Sequence, residues 1–203
     1  MKSFGNSKEL KPTDILCYDN KLFVSNILKH RIEVYEKGSY QHLYNLPNEN
    51  YKQGDGGFLN APTNISVSNN ILYVSDFGAF KIKKFKIDDG EFVDTVGSYG
   101  RGLAQFVGPK GIAVDNDNQL YVVDAGFENV QIFDEAGKLL MFFGGSYKGP
   151  GDMWLPAKVT LDYNNLEYFQ QYVDNRFILK YLIFVTNQYG PDKINVYGYV
   201  DYK

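Results

Sequence analysis

Residues that carry redox or metal chemistry are scarce in this chain of 203 residues, which has one cysteine, two histidines and one tryptophan. A single Cys17 excludes an intrachain disulfide. Placed in a short apolar run, it reads as a small buried hydrophobe. His30 and His42 both fall in the N-terminal quarter, so an imidazole-ligated metal fed from several parts of the chain is not expected, and no cofactor is assigned. No G-x-S-x-G occurs, which removes the sequence signature of a nucleophile elbow, and no residue is assigned a catalytic role. No apolar run approaches the roughly 20 residues that span a bilayer, so membrane insertion is not expected. The formal net charge of −3 argues against a general nucleic-acid binder, which needs a basic face. Met1-Lys-Ser-Phe-Gly lacks the apolar stretch of a secretory leader, so the chain as written reads as cytosolic, mature or truncated.

Aromatic residues and glycine are plentiful, with 17 tyrosines, 15 phenylalanines and 20 glycines, the mixture expected of many short strands joined by tight turns. The strands fall into a repeat. Pro12, Pro62, Pro109 and Pro156 are spaced by 50, 47 and 47 residues, a period typical of propeller blades. After each proline comes a short apolar strand, then a second strand closing on Asn or Asp: Leu22-Phe-Val-Ser-Asn26, Leu72-Tyr-Val-Ser-Asp76, Leu120-Tyr-Val-Val-Asp124 and Ile183-Phe-Val-Thr-Asn187. The third strand alternates with period two, as in Asn129-Val-Gln-Ile-Phe133, and a fourth ends in glycine at Gly97 and Gly144. This predicts an all-β propeller of four-stranded antiparallel blades. Its units, 6–47, 48–97, 98–145 and 146–203, form one domain over 1–203.

The third unit reads Phe106-Val-Gly-Pro-Lys-Gly-Ile-Ala-Val-Asp115, Leu120-Tyr-Val-Val-Asp124, Asn129-Val-Gln-Ile-Phe-Asp134 and Phe142-Phe-Gly144, and it resembles the NHL repeat. Units one and two have Asp14 and Asn64 where the third has Gly111. The resemblance implies the fold and leaves activity open. NHL propellers include protein-interaction platforms, RNA-binding modules, metal-dependent lyases and secreted bacterial propellers that accompany multihaem cytochromes. Leu155-Pro-Ala-Lys-Val159 and Tyr181-Leu-Ile-Phe-Val-Thr-Asn-Gln-Tyr-Gly-Pro191 are most similar to the last group. Family propellers have five or six blades, which leaves two expectations. Either four blades close as a ring, with Met1–Gly5 completing the last blade, or the chain is part of a six-bladed propeller, in which case incomplete closure allows oligomerisation.

Turns between second and third strands share one face with the connections between blades. That face gathers Phe77, Arg101, Phe127 and Tyr189, residue types enriched in interface hot spots. Phe58, Phe106 and Trp154 precede their prolines and are expected to fill a structural slot between blades. Asn26, Asp76, Asp124 and Asn187 are expected to accept N–H bonds within the turn that follows each strand. Asp115 and Asp117 read as a solvated hairpin tip. Residues 164–180 interrupt the last unit. Leu166, Phe169, Tyr172 and Val173 share one face of an expected short helix, capped by Asn164 or Asn165, that covers the bottom of the channel or docks a partner. The expected function is therefore a non-enzymatic binding or scaffold module for a protein partner, with an extracytoplasmic electron-transfer assembly containing a multihaem cytochrome among the possibilities. The competing class is a metal-dependent lyase or lactonase-type hydrolase with a site in the channel.

Overall fold

A computed structural model describes residues 8–203. The first sheet holds β1 (Pro12–Tyr18), β2 (Lys21–Asn26), β3 (Arg31–Glu36) and β4 (His42–Leu46). The second holds β5 (Pro62–Ser68), β6 (Ile71–Asp76), β7 (Lys81–Lys86) and β8 (Phe92–Val96). The third holds β9 (Pro109–Val114), β10 (Leu120–Asp124), β11 (Asn129–Phe133) and β12 (Leu139–Gly144). The last holds β13 (Pro156–Asp162), β14 (Phe177–Asn187) and β15 (Ile194–Tyr202). All pairings are antiparallel and follow sequence order. Each repeat proline opens the first strand of its sheet, an edge position where a missing N–H costs no ladder bond. One extra residue bulges just after it in every sheet.

The first strands β1, β5, β9 and β13 lie side by side along a shared axis. Apolar side chains alternate between the two faces of a sheet, so each inner sheet feeds two seams. Leu72, Val74 and Phe85 pack toward the first sheet with Phe23, Ile32 and Val34. Tyr73 and Ile82, pointing the other way, meet Ile112, Leu120, Val122 and Phe133 of the third. Tyr121, Val123 and Val130 then join Ile183 and Val185 of the last. Each such side chain contributes about 1.5–3 kcal/mol relative to exposure.

The residue that fills the slot between blades stands three positions before the proline in the last three units. It is Leu59, Phe106 or Met153, each 0% exposed. Phe58 and Trp154 therefore do not share it with Phe106 as the sequence reading had it. Phe58 is half-buried beside the His30 ring and Trp154 stacks on Tyr147 at the surface. Beneath Phe106 and Met153 lie Gly97 (φ +81°) and Gly144 (φ +83°), where a Cβ would strike the slot side chain. The closing glycine of one blade thus seats the slot residue of the next.

Other expectations need correction. The last sheet has three strands, and the proposed completion by Met1–Gly5 lies outside the described residues. The sheets do not close into a ring. The first and last face each other through the ion pair of Lys158 Nζ with Asp14 Oδ2, 2.5 Å apart. Cys17 is exposed rather than buried, because it shares with Ile15 the face of β1 that no described sheet covers. Asp115 is buried, not solvated. Its Oδ1 accepts the N–H groups of Asp117 and Gln119, and its Oδ2 accepts the Tyr181 hydroxyl, which also meets that of Tyr121 at 2.5 Å. Burial, together with these neighbours, drives the Tyr181 phenol well above its ordinary range. The insertion forms two 3-10 turns, Leu166–Tyr168 and Gln170–Tyr172, instead of one helix, and β14 begins inside the expected insertion at Phe177. Neither Asn164 nor Asn165 caps with its side chain. Both backbone N–H groups bond to Asp162 Oδ1 instead.

At Gly111 two first strands, β9 and β13, approach closely. A Cβ there would lie 2.5 Å from Lys158 Cα and 2.7 Å from the Ala157 carbonyl oxygen. Units one and two carry Asp14 and Asn64 at this position, and the Asp14 carboxylate accepts the Ile65 N–H at 3.1 Å. Gly111→Ala should lower unfolding free energy by about 2–4 kcal/mol in urea titration. Gly145→Ala, where the nearest atom to a Cβ is 3.8 Å away, should cost less than about 1 kcal/mol. Equal effects would contradict the close packing of β9 on β13.

Candidate functional site

The candidate site is built on the side chain that ends each second strand. Asp124 is completely buried and accepts four backbone N–H bonds. Val107 (2.8 Å) and Gly108 (3.0 Å) donate from the connection entering the blade, Gly126 (2.8 Å) and Phe127 (3.1 Å) from the turn leaving β10. Asp76 accepts from Asn60 at 2.9 Å and Ala61 at 2.7 Å and pairs with buried Lys83 at 3.0 Å. Asn26 accepts from Lys11 and donates to the Glu9 carbonyl. Asn187 accepts from Trp154 and donates to the Asp192 carbonyl. The expectation was a bond inside the following turn. All four side chains clasp the preceding connection, and two also bond within the following turn, Asp124 by accepting from Gly126 and Phe127 as expected and Asn187 by donating to the Asp192 carbonyl.

A second set of bonds repeats beside the first. The third-strand polar residues Lys83, Gln131 and Asn195 donate to the carbonyls of Phe58, Gln105 (2.9 Å) and Asp152 (2.6 Å), each four residues before its proline. In the first sheet this place belongs to Glu33, which is an acceptor. It receives Asn26, Arg31 and Tyr35 instead. Burial opposes its charge, yet these bonds hold its carboxyl below the usual range. The connection is thus tied to the end of the second strand and to the third strand in each of the last three blades, and residues carried on it are displayed from a fixed backbone.

On this face Arg101 and Phe127 come together. They line one open cleft of about 320 Å³ with Leu103, Asn129, Gln131 and Phe142. Leu103 is 75% and Phe142 53% exposed, so the cleft has an apolar rim held in water. Asn129 Oδ1 is buried and accepts no hydrogen bond among the described residues. The sequence reading missed Asn129, Leu103 and Phe142. Asn129 holds the ordinary first place of a third strand, and only the fold of the connection over it reveals the orphaned oxygen.

The other residues expected at a partner surface lie elsewhere. Phe77 belongs to a surface row with Phe80 (centroids 6.3 Å) and Tyr99 (4.7 Å from Phe80). Tyr189 is 56% exposed, and its N–H bonds to the Trp154 carbonyl, beside the stacked Tyr147–Trp154 pair. Phe169 packs edge-on against Phe184 on the outward face of the last sheet, at 5.9 Å, and Tyr172 is 78% exposed. The insertion lies against β14.

Among the described residues no three metal-binding side chains converge. His30 Nδ1 contacts the Asn60 carbonyl at 2.6 Å, and His42 Nε2 contacts Asn45 at 2.9 Å. Near the axis, burial pushes Lys110 below the ordinary lysine range.

The family model for the NHL repeat matches residues 106–133, the connection, clasp and first three strands of the third sheet. This segment is similar to the NHL repeat. No curated protein matches the chain by sequence. Among solved structures it is similar to the hydrazine synthase of Kuenenia stuttgartiensis, at 13% identity and a TM-score of 0.62 over 98% of this chain and 52% of that one. It is also similar to a catalytically inactive virginiamycin B lyase from Staphylococcus aureus solved with quinupristin, at 16% identity and 0.62 over 98% and 57%. The computationally designed protein Ika4 aligns over 96% of this chain and 93% of its own, at 12% identity and 0.54. At these identities the likeness is one of fold. The chain spans about half the length of the two natural proteins.

Asp124→Ala strands four N–H groups in or near the NHL repeat core. It should cost about 3–5 kcal/mol of stability by thermal or urea unfolding, against about 1 kcal/mol for Asp134→Ala at the exposed β11–β12 turn. Similar losses at both positions would contradict a clasp at Asp124.

Proposed function

We propose that this propeller is a non-enzymatic binding module whose partner is a protein. The observation that carries the reading is the cleft between Arg101 and Phe127. Three chain segments, the connection and the turn that Asp124 fastens together with the strand β12, hold apolar side chains and a guanidinium around one concave surface. Interfaces draw most of their energy from such aromatic and arginine anchors on a backbone that need not reorganise. The flanking aromatic groups, Phe77 with Phe80 and Tyr99 on one side and Tyr189 with Trp154 on the other, extend the surface across neighbouring blades.

The last unit's similarity in wording to secreted propellers that accompany multihaem cytochromes makes such a cytochrome the first partner to test, within an extracytoplasmic electron-transfer assembly. The uncovered apolar faces at the two ends of the arc, with Ile15 on one and Ile194, Val196 and Val200 on the other, support self-association as part of the same reading. Enzymatic readings find less support. The similarity to a lyase is a similarity of fold, and both histidines sit in the first sheet or its turn, occupied by neighbouring oxygens.

Replacing Phe127 and Tyr189 together with Ala should shift thermal unfolding little, since both are turn residues, while weakening partner binding by about 1–3 kcal/mol in calorimetry or surface-based assays. If binding persists and Phe169→Ala abolishes it, the docking element is the insertion on the last sheet and this reading fails.

A further inference from the structure

Among the described residues the last sheet stops at three strands, whereas each of the other three continues to a fourth. Ladder register shows what that fourth strand supplies. Ile32, Ile82 and Val130 hold one equivalent place, opposite the next-to-last residue of the second strand, and each is 0% exposed. On its other side each meets an apolar residue of the fourth strand, Leu46, Val96 or Phe143. Ile194 holds the same place in β15, opposite Thr186, and is 58% exposed. Four residues earlier on the fourth strand, His42, Phe92 or Leu139 stands opposite the ring of Tyr35, Phe85 or Phe133, and the corresponding ring in β15 is Tyr197.

The edge of β15 also lacks the protection that outer strands usually carry. β4, β8 and β12 have 5, 5 and 6 residues, and β15 has 9. It carries one charged residue, Asp201, and no proline or lysine. A long apolar edge of this kind is a template for another strand, because its outward N–H and C=O groups have no ladder partner. The chain's own Phe4-Gly5 ends 7 residues before Pro12, whereas Gly97 and Gly144 each stand 12 residues before the next repeat proline. It lies too close to β1 to close the last sheet through the connection that those blades use.

We infer that β15 accepts an extended strand from a partner protein, antiparallel to it, with one large apolar side chain opposite Tyr197 and a second, four residues later, opposite Ile194. The backbone ladder supplies affinity and the two end side chains supply selection. The fourth strands β8 and β12 are the pattern for the segment, each with apolar residues at this spacing. This inference deepens the partner-binding reading by adding a second contact, and β15 shares no residue with the Arg101 cleft.

The test titrates the full chain with acetyl-Phe-Val-Asp-Thr-Val-Gly-amide, the sequence of β8 through Gly97, followed by backbone amide shifts and intermolecular contacts in NMR. The peptide should shift the amides of residues 194–202, slow their hydrogen exchange and lie antiparallel to β15. The same peptide with Pro in place of Asp and Thr keeps both apolar ends, lacks ladder N–H groups and should bind about ten-fold more weakly or worse. Ser at the Phe and C-terminal Val positions should cost a similar factor. Ile194→Ser, at an exposed position, should leave thermal unfolding unchanged and weaken the first peptide several-fold. Absence of a saturable shift, equal binding of the proline peptide, or shifts confined to the outer edges of β4, β8 and β12 would overturn the assignment. Binding that appears only after residues 1–5 are removed would give the edge to the chain's own N-terminus, and a dimer joined through β15 would give it to a second copy. Either result overturns it as well. Loss of partner binding in the Phe127→Ala, Tyr189→Ala double variant is read independently of these outcomes, so the two readings fail separately.

Discussion

A buried Asp or Asn at the end of each second strand fastens the chain entering a blade to the strand that has just crossed it. The arrangement answers a problem that any propeller faces. Sheets stacked face to face bury side chains well, but connections between outer and inner strands must cross the top of the stack, where their backbone groups would otherwise be half-desolvated and unpaired. Asp124 meets four such N–H groups with one carboxylate, and Asp76 meets two while neutralising Lys83. Hydrogen bonds to a charged group are worth about 1.5–3 kcal/mol each before non-additivity, enough to make the clasp a determinant of loop position rather than an ornament of it.

Rigidity of the connections is what makes the upper face useful. Leu103 remains exposed at the rim of the cleft on a connection held by Asp124 at one height and by Gln131 on the Gln105 carbonyl at another, opposite Phe142 on the ladder-bonded strand β12. A loop free to collapse would cover these side chains itself. Preorganised anchors lose little entropy on binding, so a modest cleft can select a ligand by a few well-placed groups. The last sheet works differently. There the insertion lays Phe169 over Phe184 and protects part of a sheet face that would otherwise be bare.

The architecture was legible in the residues because it is written in period and alternation. Four prolines set the start of four first strands, and alternating residues divide correctly between neighbouring seams. The strand-end acids read as structural, and Asp124 does accept the expected N–H bonds of its turn, but the sequence hides the connection folded over it, which supplies the other partners. The slot residue was misread for a related reason. Phe58 and Trp154 outrank Leu59 and Met153 in size, whereas position relative to the proline decides which side chain points inward. Cys17 and Asp115 misled in opposite directions. Whether a strand face is covered, and whether a turn carboxylate meets a distant tyrosine such as Tyr181, are tertiary facts. Of the expected surface residues, Arg101 and Phe127 meet in one cleft, and Asn129 could be found only from its orphaned oxygen.

The claim on which the account rests is that buried side chains, beyond the backbone bonds that join turn and connection, fix the connections. Native-state hydrogen exchange at single-residue resolution measures this most directly, because Asn60, Ala61, Val107 and Gly108 donate N–H bonds to Asp76 and Asp124 from outside strand ladders. The account predicts protection at these amides approaching that of central strand residues such as Val74 and Val122, and opening only with global unfolding. Exchange at the rates of unprotected loops, with the strands still protected, would contradict it.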